Sequence, residues 1–115
     1  MASDCIFCRI AAGEIPAKVV HRDASVLAIE DVNPQAPSHL LVMPVAHHAN
    51  VSELAQTHDG TLIGKLVEVA SALGRERGKG EGFRLVVNTG PQGGQTVDHL
   101  HIHVLAGRPM TWPPG

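Results

Sequence analysis

Hydrophobic and polar positions along the 115-residue chain change period several times, and each change marks an element. Near the N-terminus Ile6, Phe7 and Ile10 recur at helical spacing. This predicts a short helix capped by Ser3 or Asp4, running through Ala12 and stopped by Gly13. Pro16 closes that unit. Residues 18–21 and 26–30 are short β-rich runs split by Arg22-Asp23-Ala24-Ser25, the pattern of a hairpin. Asn33-Pro34-Gln35-Ala36-Pro37 reads as a stiff loop, because two prolines fix φ and carry no N–H. Residues 39–43 form an almost wholly apolar third strand, expected to be buried on both faces or central in its sheet. Pro44 closes it, and residues 45–60 read as loop with room for one helical turn.

The longest periodic stretch is residues 61–77. Leu62, Ile63, Leu66, Val67, Val69, Ala70 and Leu73 recur at three- and four-residue steps, with Lys65, Glu68 and Glu76 mostly on the other side. Gly78, Gly80 and Gly82 are its expected stop. Residues 83–88 predict a fourth strand, residues 89–95 a glycine-rich loop, residues 98–105 a fifth strand, and residues 107–115 an irregular tail with three prolines. There are no repeats and no linker, so residues 1–115 are expected to form a single domain. Five strands with short gaps and one long helix predict an α+β fold: a five-stranded, mostly antiparallel sheet with a short N-terminal helix.

Composition narrows the function. Nine Lys and Arg oppose eleven Asp and Glu, for a net charge of -2. No basic excess is available to neutralise a nucleic-acid backbone. No apolar run approaches the length of a membrane span, and the start lacks a signal-peptide pattern. The expected setting is cytoplasmic, without nucleic-acid or membrane partners. Eight histidines stand against only three aromatic residues, Phe7, Phe83 and Trp112.

The histidines concentrate in His99-Leu100-His101-Ile102-His103-Val104-Leu105. Strand side chains alternate, so His99, His101 and His103 share one face, roughly 6.5–7 Å apart, while Leu100, Ile102 and Val104 point into the core. Chance alternation on a solvated face is the bland alternative. The row also suits a metal cage, or an imidazole nucleophile. Crowded imidazoles resist joint protonation, which preserves a lone pair for attack near neutral pH. His101, the central ring, is the candidate nucleophile. The preceding Asn88-Thr89-Gly90-Pro91-Gln92-Gly93-Gly94-Gln95-Thr96 favours attack on phosphorus. Gly93-Gly94 lets backbone N–H groups approach an anion, and Asn88, Gln95 and Thr96 add neutral donors.

With this strand the sequence resembles the histidine triad family of nucleotide hydrolases and transferases, whose signature is His-x-His-x-His followed by apolar residues. It is most similar to the Hint branch, the purine nucleoside phosphoramidases. The likeness extends through Ile6-Phe7, Gly13-Glu14-Ile15-Pro16-Ala17-Lys18, Pro34-Gln35-Ala36-Pro37, Gly93-Gly94-Gln95-Thr96-Val97 and the ending Trp112-Pro113-Pro114-Gly115. The resemblance implies a homodimer with joined sheets and a purine nucleotide substrate linked to an amine through a P–N bond, with no organic cofactor. It implies that His101 becomes adenylylated, that His103 hydrogen-bonds the phosphate, and that His39 supports the nucleophile. Asn88, Gly94, Gln95 and Thr96 match the phosphate loop, and Asp31 the ribose-binding acid. Ile6, Phe7, Ile10, Ile29 and Val32 match the base pocket. Trp112 either packs on its own subunit or reaches the partner's site. Thr96 stands where the Hint branch usually has Ser, and can still donate to a leaving amine. Ile29 stands where that branch often has Phe, which exchanges ring stacking for aliphatic contact. A nucleotide-binding regulatory module, a dinucleoside polyphosphate hydrolase and a nucleotidyl transferase are alternatives on the same residues.

Cys5 and Cys8 form Cys-x-x-Cys. The βαβ context of a redox motif is missing, and two ordinary buried thiols are the bland reading. A metal would need two more ligands, with His47 or His48 and His99 as candidates. In bacterial-type members of the resembled family, the two Cys, the histidine after the third strand and the first triad histidine bind zinc. That implies a structural Zn²⁺ on Cys5, Cys8, His47 and His99. His21 and His58, in or near loops, are expected to be solvated, and Asp98 has no assigned role.

Overall fold

The computed structural model describes residues 4–115. Its elements are α1 (Ile6–Ala11), β1 (Val19–Arg22), β2 (Val26–Glu30), β3 (Ser38–Pro44), α2 (Val51–Gln56), α3 (Gly60–Gly78), β4 (Phe83–Val87) and β5 (Ile102–Ala106). The strands form one sheet in the order β1-β2-β3-β5-β4, with every neighbouring pair antiparallel. The α+β architecture is the expected one, and β3 is indeed the central strand. No helix among the described residues is long and apolar enough to cross a membrane.

Strand alternation divides the core between the two faces. Val26, Ala28, Leu40, Val42, Leu100, Ile102 and Val104 pack with Leu54 of α2 and Leu66 and Ala70 of α3. Leu27, Ile29, Leu41 and Met43 face the other way and pack with Phe7 of α1. The long helix therefore covers one face of the sheet. The short helix covers part of the other, beside the histidines.

Several boundaries differ from expectation for identifiable reasons. The cap of α1 is Cys5, whose Sγ accepts the Cys8 N–H, rather than Asp4; Ser3 lies outside the described residues. The first strand starts one residue late, and Asp23 Oδ1 accepts from the N–H groups of Ser25 and Val26 to close the hairpin turn. Residues 45–60 contain α2, capped by Asn50 accepting from Glu53 N–H while Glu53 Oε1 accepts from Ala49 N–H. The Asn-x-x-Glu spacing was the available signal for that start. The long helix runs to Gly78, and Lys79, not a glycine, takes the left-handed cap at φ 51°. The fifth strand begins at Ile102 instead of residue 98. Before it the partner strand reaches Pro44, which has no N–H to give. The Pro44 carbonyl binds the His99 ring, and Leu100 N–H turns to His48 O at 2.7 Å.

The long helix approaches β4 closely at Gly74. A Cβ added there would lie 2.4–2.7 Å from the Phe83 ring, whereas one at Gly64 would meet open space. Gly74→Ala is therefore expected to destabilise the fold by about 1–3 kcal/mol through overpacking, despite alanine's better helix propensity. Gly64→Ala is expected to stabilise it by up to about 1 kcal/mol. Urea unfolding of the two variants checks the opposite signs.

Candidate functional site

The first constellation lies where α1 meets the sheet. Cys5 caps α1 and Cys8 lies in its first turn, His47 comes from the loop after β3, and His99 from the segment before β5. Their ligand atoms all lie within 4.8 Å of one another. Cys5 Sγ is 3.2 Å and Cys8 Sγ 3.4 Å from His99 Nδ1, and Cys8 Sγ is 3.3 Å from His47 Nδ1. His99 Nε2 is 2.8 Å from the Pro44 carbonyl. A carbonyl only accepts, so Nε2 carries the proton and Nδ1 presents its lone pair to the sulfurs.

A soft, closed Cys₂His₂ set with a carbonyl behind a ligating imidazole fits zinc. Burial also pushes the His99 pKa down, which keeps the ring in its ligating form. Burial and the neighbouring Cys5 push the Cys8 thiol up to about 11. A bound cation reverses that preference, because a coordinating thiol is deprotonated. His48, the rival for the third position, contributes only its carbonyl, to Leu100.

The second constellation is a directed chain of imidazoles. His101 Nδ1 is 2.7 Å from the His99 carbonyl and must donate to it, so the neutral ring keeps its lone pair on Nε2. The Gln35 backbone N–H donates to His39 Nδ1 at 3.0 Å, which leaves the proton of the neutral ring on Nε2. That nitrogen lies 2.9 Å from His103 Nδ1 and 3.4 Å from Asp31 Oδ2. Donation to His103 Nδ1 places the His103 proton on Nε2. His39 thus supports His103 directly, and not the nucleophile candidate His101 as expected. The register explains the pairing: Leu41 faces His103 and Leu105 faces His39, so the two histidines are diagonal neighbours on one face.

Asp31, His39 and His103 also form a metal-capable group by proximity. Their hydrogen bonds argue against an ion. A metal on His39 Nε2 would move the ring proton to Nδ1, against the Gln35 N–H. Burial lowers the His39 pKa, partly opposed by Asp31. Burial, reinforced by His101 and His39, lowers His103 to about 4. The rings of His101 and His103 are 5.0 Å apart, nearer than ideal strand geometry predicts, because residue 101 precedes the regular strand.

The glycine-rich loop is largely tied up in its own construction. Asn88 Nδ2 donates to Gly93 O at 2.7 Å. Gln95 Nε2 donates to Ala49 O and Val97 O, and Gln95 Oε1 accepts from Gly90 N–H. The expectation that Gln95 offers its amide to a phosphate is corrected: both of its N–H groups are committed, and it shapes the loop. Gly94 adopts φ 81°, a left-handed conformation suited to glycine. Thr96 is exposed, and among the described residues no hydrogen bond engages its hydroxyl.

Of the expected base-pocket residues, Phe7 and Ile29 are buried together and Ile10 packs on their cluster. Ile6 is half-exposed and Val32 wholly exposed, so both stand at the rim. Trp112 is 85% exposed, which corrects the reading that it packs on its own subunit. His21 is not simply solvated either: it is half-buried and 2.7 Å from Asp23 Oδ2. Asp98 is exposed, as is His58. A cavity of about 960 Å³ lies away from the histidines, between Ser38, Arg77, Lys79 and Arg108. Sequence reasoning missed the backbone groups that set each ring's proton: the carbonyls of Pro44 and His99 and the Gln35 N–H. Only Pro44 carried a signal, as the residue able to interrupt the ladder.

Comparison with known proteins gives a consistent result. The HIT domain model matches residues 12–110. An uncharacterized HIT-like protein of Synechococcus elongatus is 50% identical over 115 residues, covering 100% of both chains. A 14 kDa zinc-binding protein of Zea mays is 43% identical, covering 98% of this chain and 89% of its own. The solved structure of a HIT family hydrolase from Legionella pneumophila superposes with a TM-score of 0.91 at 46% identity, covering 96% of this chain and 99% of its own.

The depressed His103 pKa makes stability depend on pH. Between about 4 and the ordinary value of 6.5 the unfolded chain binds a proton on this ring that the folded state refuses. Its contribution is complete above pH 6.5 and is lost as pH falls towards 4. With zinc in excess, the urea midpoint is expected to fall between pH 7 and pH 5, and to fall less in His103→Asn. An equal slope in the two proteins would contradict this.

Proposed function

The chain belongs to the HIT domain family, and on that premise we propose that it is a Hint-branch hydrolase cleaving nucleoside phosphoramidates through a nucleotidyl-histidine intermediate. The observation that carries this reading is the proton assignment of the triad. His101 Nδ1–H is held by the His99 carbonyl, so the Nε2 lone pair is the free one.

The chemistry follows from those protons. His101 Nε2 attacks the α-phosphorus and the P–N bond breaks. Thr96 passes a proton to the departing amine and is reprotonated from solvent. His103 Nε2–H donates to a phosphoryl oxygen as its charge grows, with the glycine loop alongside. Water then attacks the phosphorus of the adduct, releasing the nucleoside monophosphate, one proton and the free imidazole. The sum is phosphoramidate plus water to amine plus monophosphate, with no organic cofactor. In this reading Asp31 accepts ribose hydroxyls, and the base lies against Ile10 and Ile29 over the buried Phe7, with Ile6 and Val32 at the rim. A wall with the aliphatic Ile29 suits either purine.

Zinc belongs to the same reading as a structural ion on Cys5, Cys8, His47 and His99. Such a closed set leaves no coordination position for substrate, and its contribution is to tie α1 to the sheet. Thiols kept reduced for this purpose suit a cytoplasmic setting. A homodimer is likewise proposed: β4 ends the sheet with one side open among the described residues, and the exposed Trp112 is available to a second copy.

Adenosine 5′-phosphoramidate mixed with the protein and quenched under alkaline denaturing conditions is expected to leave one AMP on the His101 peptide by mass spectrometry. His101→Asn is expected to reduce turnover by about 10³-fold or more, with AMP affinity kept within a few-fold. Tight AMP binding without adduct or product would instead mark a nucleotide-binding module.

A further inference from the structure

We propose that Phe7 is a positioning residue for the His101 ring, and that through it and the His99 carbonyl the metal cluster sets the aim of the nucleophile. This rests on the function and the zinc site proposed above. Phe7 stands in α1 between the cap residue Cys5 and Cys8, so a metal held by both thiols would fix its backbone. Its ring is 7% exposed and meets two histidines edge-on: His99 at 5.8 Å and 81°, and His101 at 5.1 Å and 82°. One of these is a metal-ligating candidate and the other the nucleophile.

The His101 ring is held on three sides. Its Nδ1–H donates to the His99 carbonyl at 2.7 Å, the Phe7 edge abuts it, and His103 lies 5.0 Å away. Two of the three holds run through residues that the metal would fix. A six-residue helix has little stability of its own, so α1 depends on its ties to the sheet. Those ties are the apolar contacts of Phe7, Ile10 and Ala11, the Arg22 bond to Ala11 O, and the ligand cluster. Loosening the cluster frees the segment carrying Phe7 and the ring of the residue whose carbonyl orients His101. A misplacement of about 1 Å at a reacting atom costs on the order of 10²-fold in rate. The role proposed for zinc therefore goes beyond tying α1 to the sheet: through that tie it controls the orientation of the His101 ring.

The test compares zinc-loaded and chelator-treated protein, each as wild type, Phe7→Leu and Phe7→Tyr. Long-range ¹H–¹⁵N spectra report the His101 tautomer directly. Zinc-loaded wild type is expected to show the Nδ1–H form alone, and zinc-free wild type a mixture. Phe7→Leu is expected to show the mixture in both states, and Phe7→Tyr to keep the wild-type response. Zinc removal should lower kcat about tenfold or more in wild type with KM nearly unchanged, and less than twofold in Phe7→Leu, because the two perturbations break one linkage.

A tautomer and a kcat indifferent to both zinc and Phe7, or losses that simply multiply, would overturn the proposal. Where the zinc-free protein fails to fold by circular dichroism, cadmium-loaded protein replaces it. An unchanged His101 spectrum in zinc-loaded Phe7→Leu is then sufficient to overturn it. The His101 adduct in wild type separates the two levels. An adduct without this coupling leaves the chemistry standing, and coupling without an adduct leaves the ring linkage but removes the nucleophile.

Discussion

One residue joins the two halves of the site. His99 turns its Nδ1 to the thiols of Cys5 and Cys8, gives its Nε2 proton to Pro44, and offers its backbone carbonyl to His101. None of these can be exchanged without disturbing another. Were the ring to flip, the sulfurs would face a protonated nitrogen and the Pro44 carbonyl a lone pair. Were the backbone to shift into a regular strand at 98–101, its carbonyl would join the ladder and His101 would lose its acceptor. The irregular segment before β5 is thus what lets one stretch of chain carry both a candidate metal ligand and an oriented imidazole.

The second requirement is that so many imidazoles coexist without charge. Burial lowers His39, His99 and His103, and each protonated neighbour would deepen the effect. The hydrogen-bond chain then has one direction, from the Gln35 N–H through His39 to His103, ending on a donor nitrogen. The loop beside it is stiffened by Asn88 and Gln95, whose amides close it on itself, so its backbone shape precedes any ligand.

Much of this was legible in the residues. Alternation put His101 and His103 opposite Ile102 and Val104, and the helical stripe from Leu62 to Leu73 identified the helix that covers the far face. The metal candidates named from spacing and resemblance lie within reach of one another. What stayed hidden resides in backbone atoms or in register. His39 pairs with His103 because of a diagonal across β3 and β5, which no one-dimensional pattern states. The donors of Gln95 look free in sequence and are consumed by carbonyls 46 and 2 residues away. The start of β5 depends on where its partner strand meets a proline, and Trp112 had no sequence feature to decide between packing and exposure.

The glycine loop carries a consequence for how related chains should be compared. A Cβ at Gly93 would stand 2.2 Å from the Thr89 carbonyl oxygen, inside any tolerable contact. Every codon change at that position therefore meets a steric wall, whatever the activity of the chain. Invariance there would be a record of geometry, and a relative without any catalytic role would keep the same glycine. Evidence of retained chemistry has to be sought at positions such as Thr96, where the fold itself leaves the choice of side chain open.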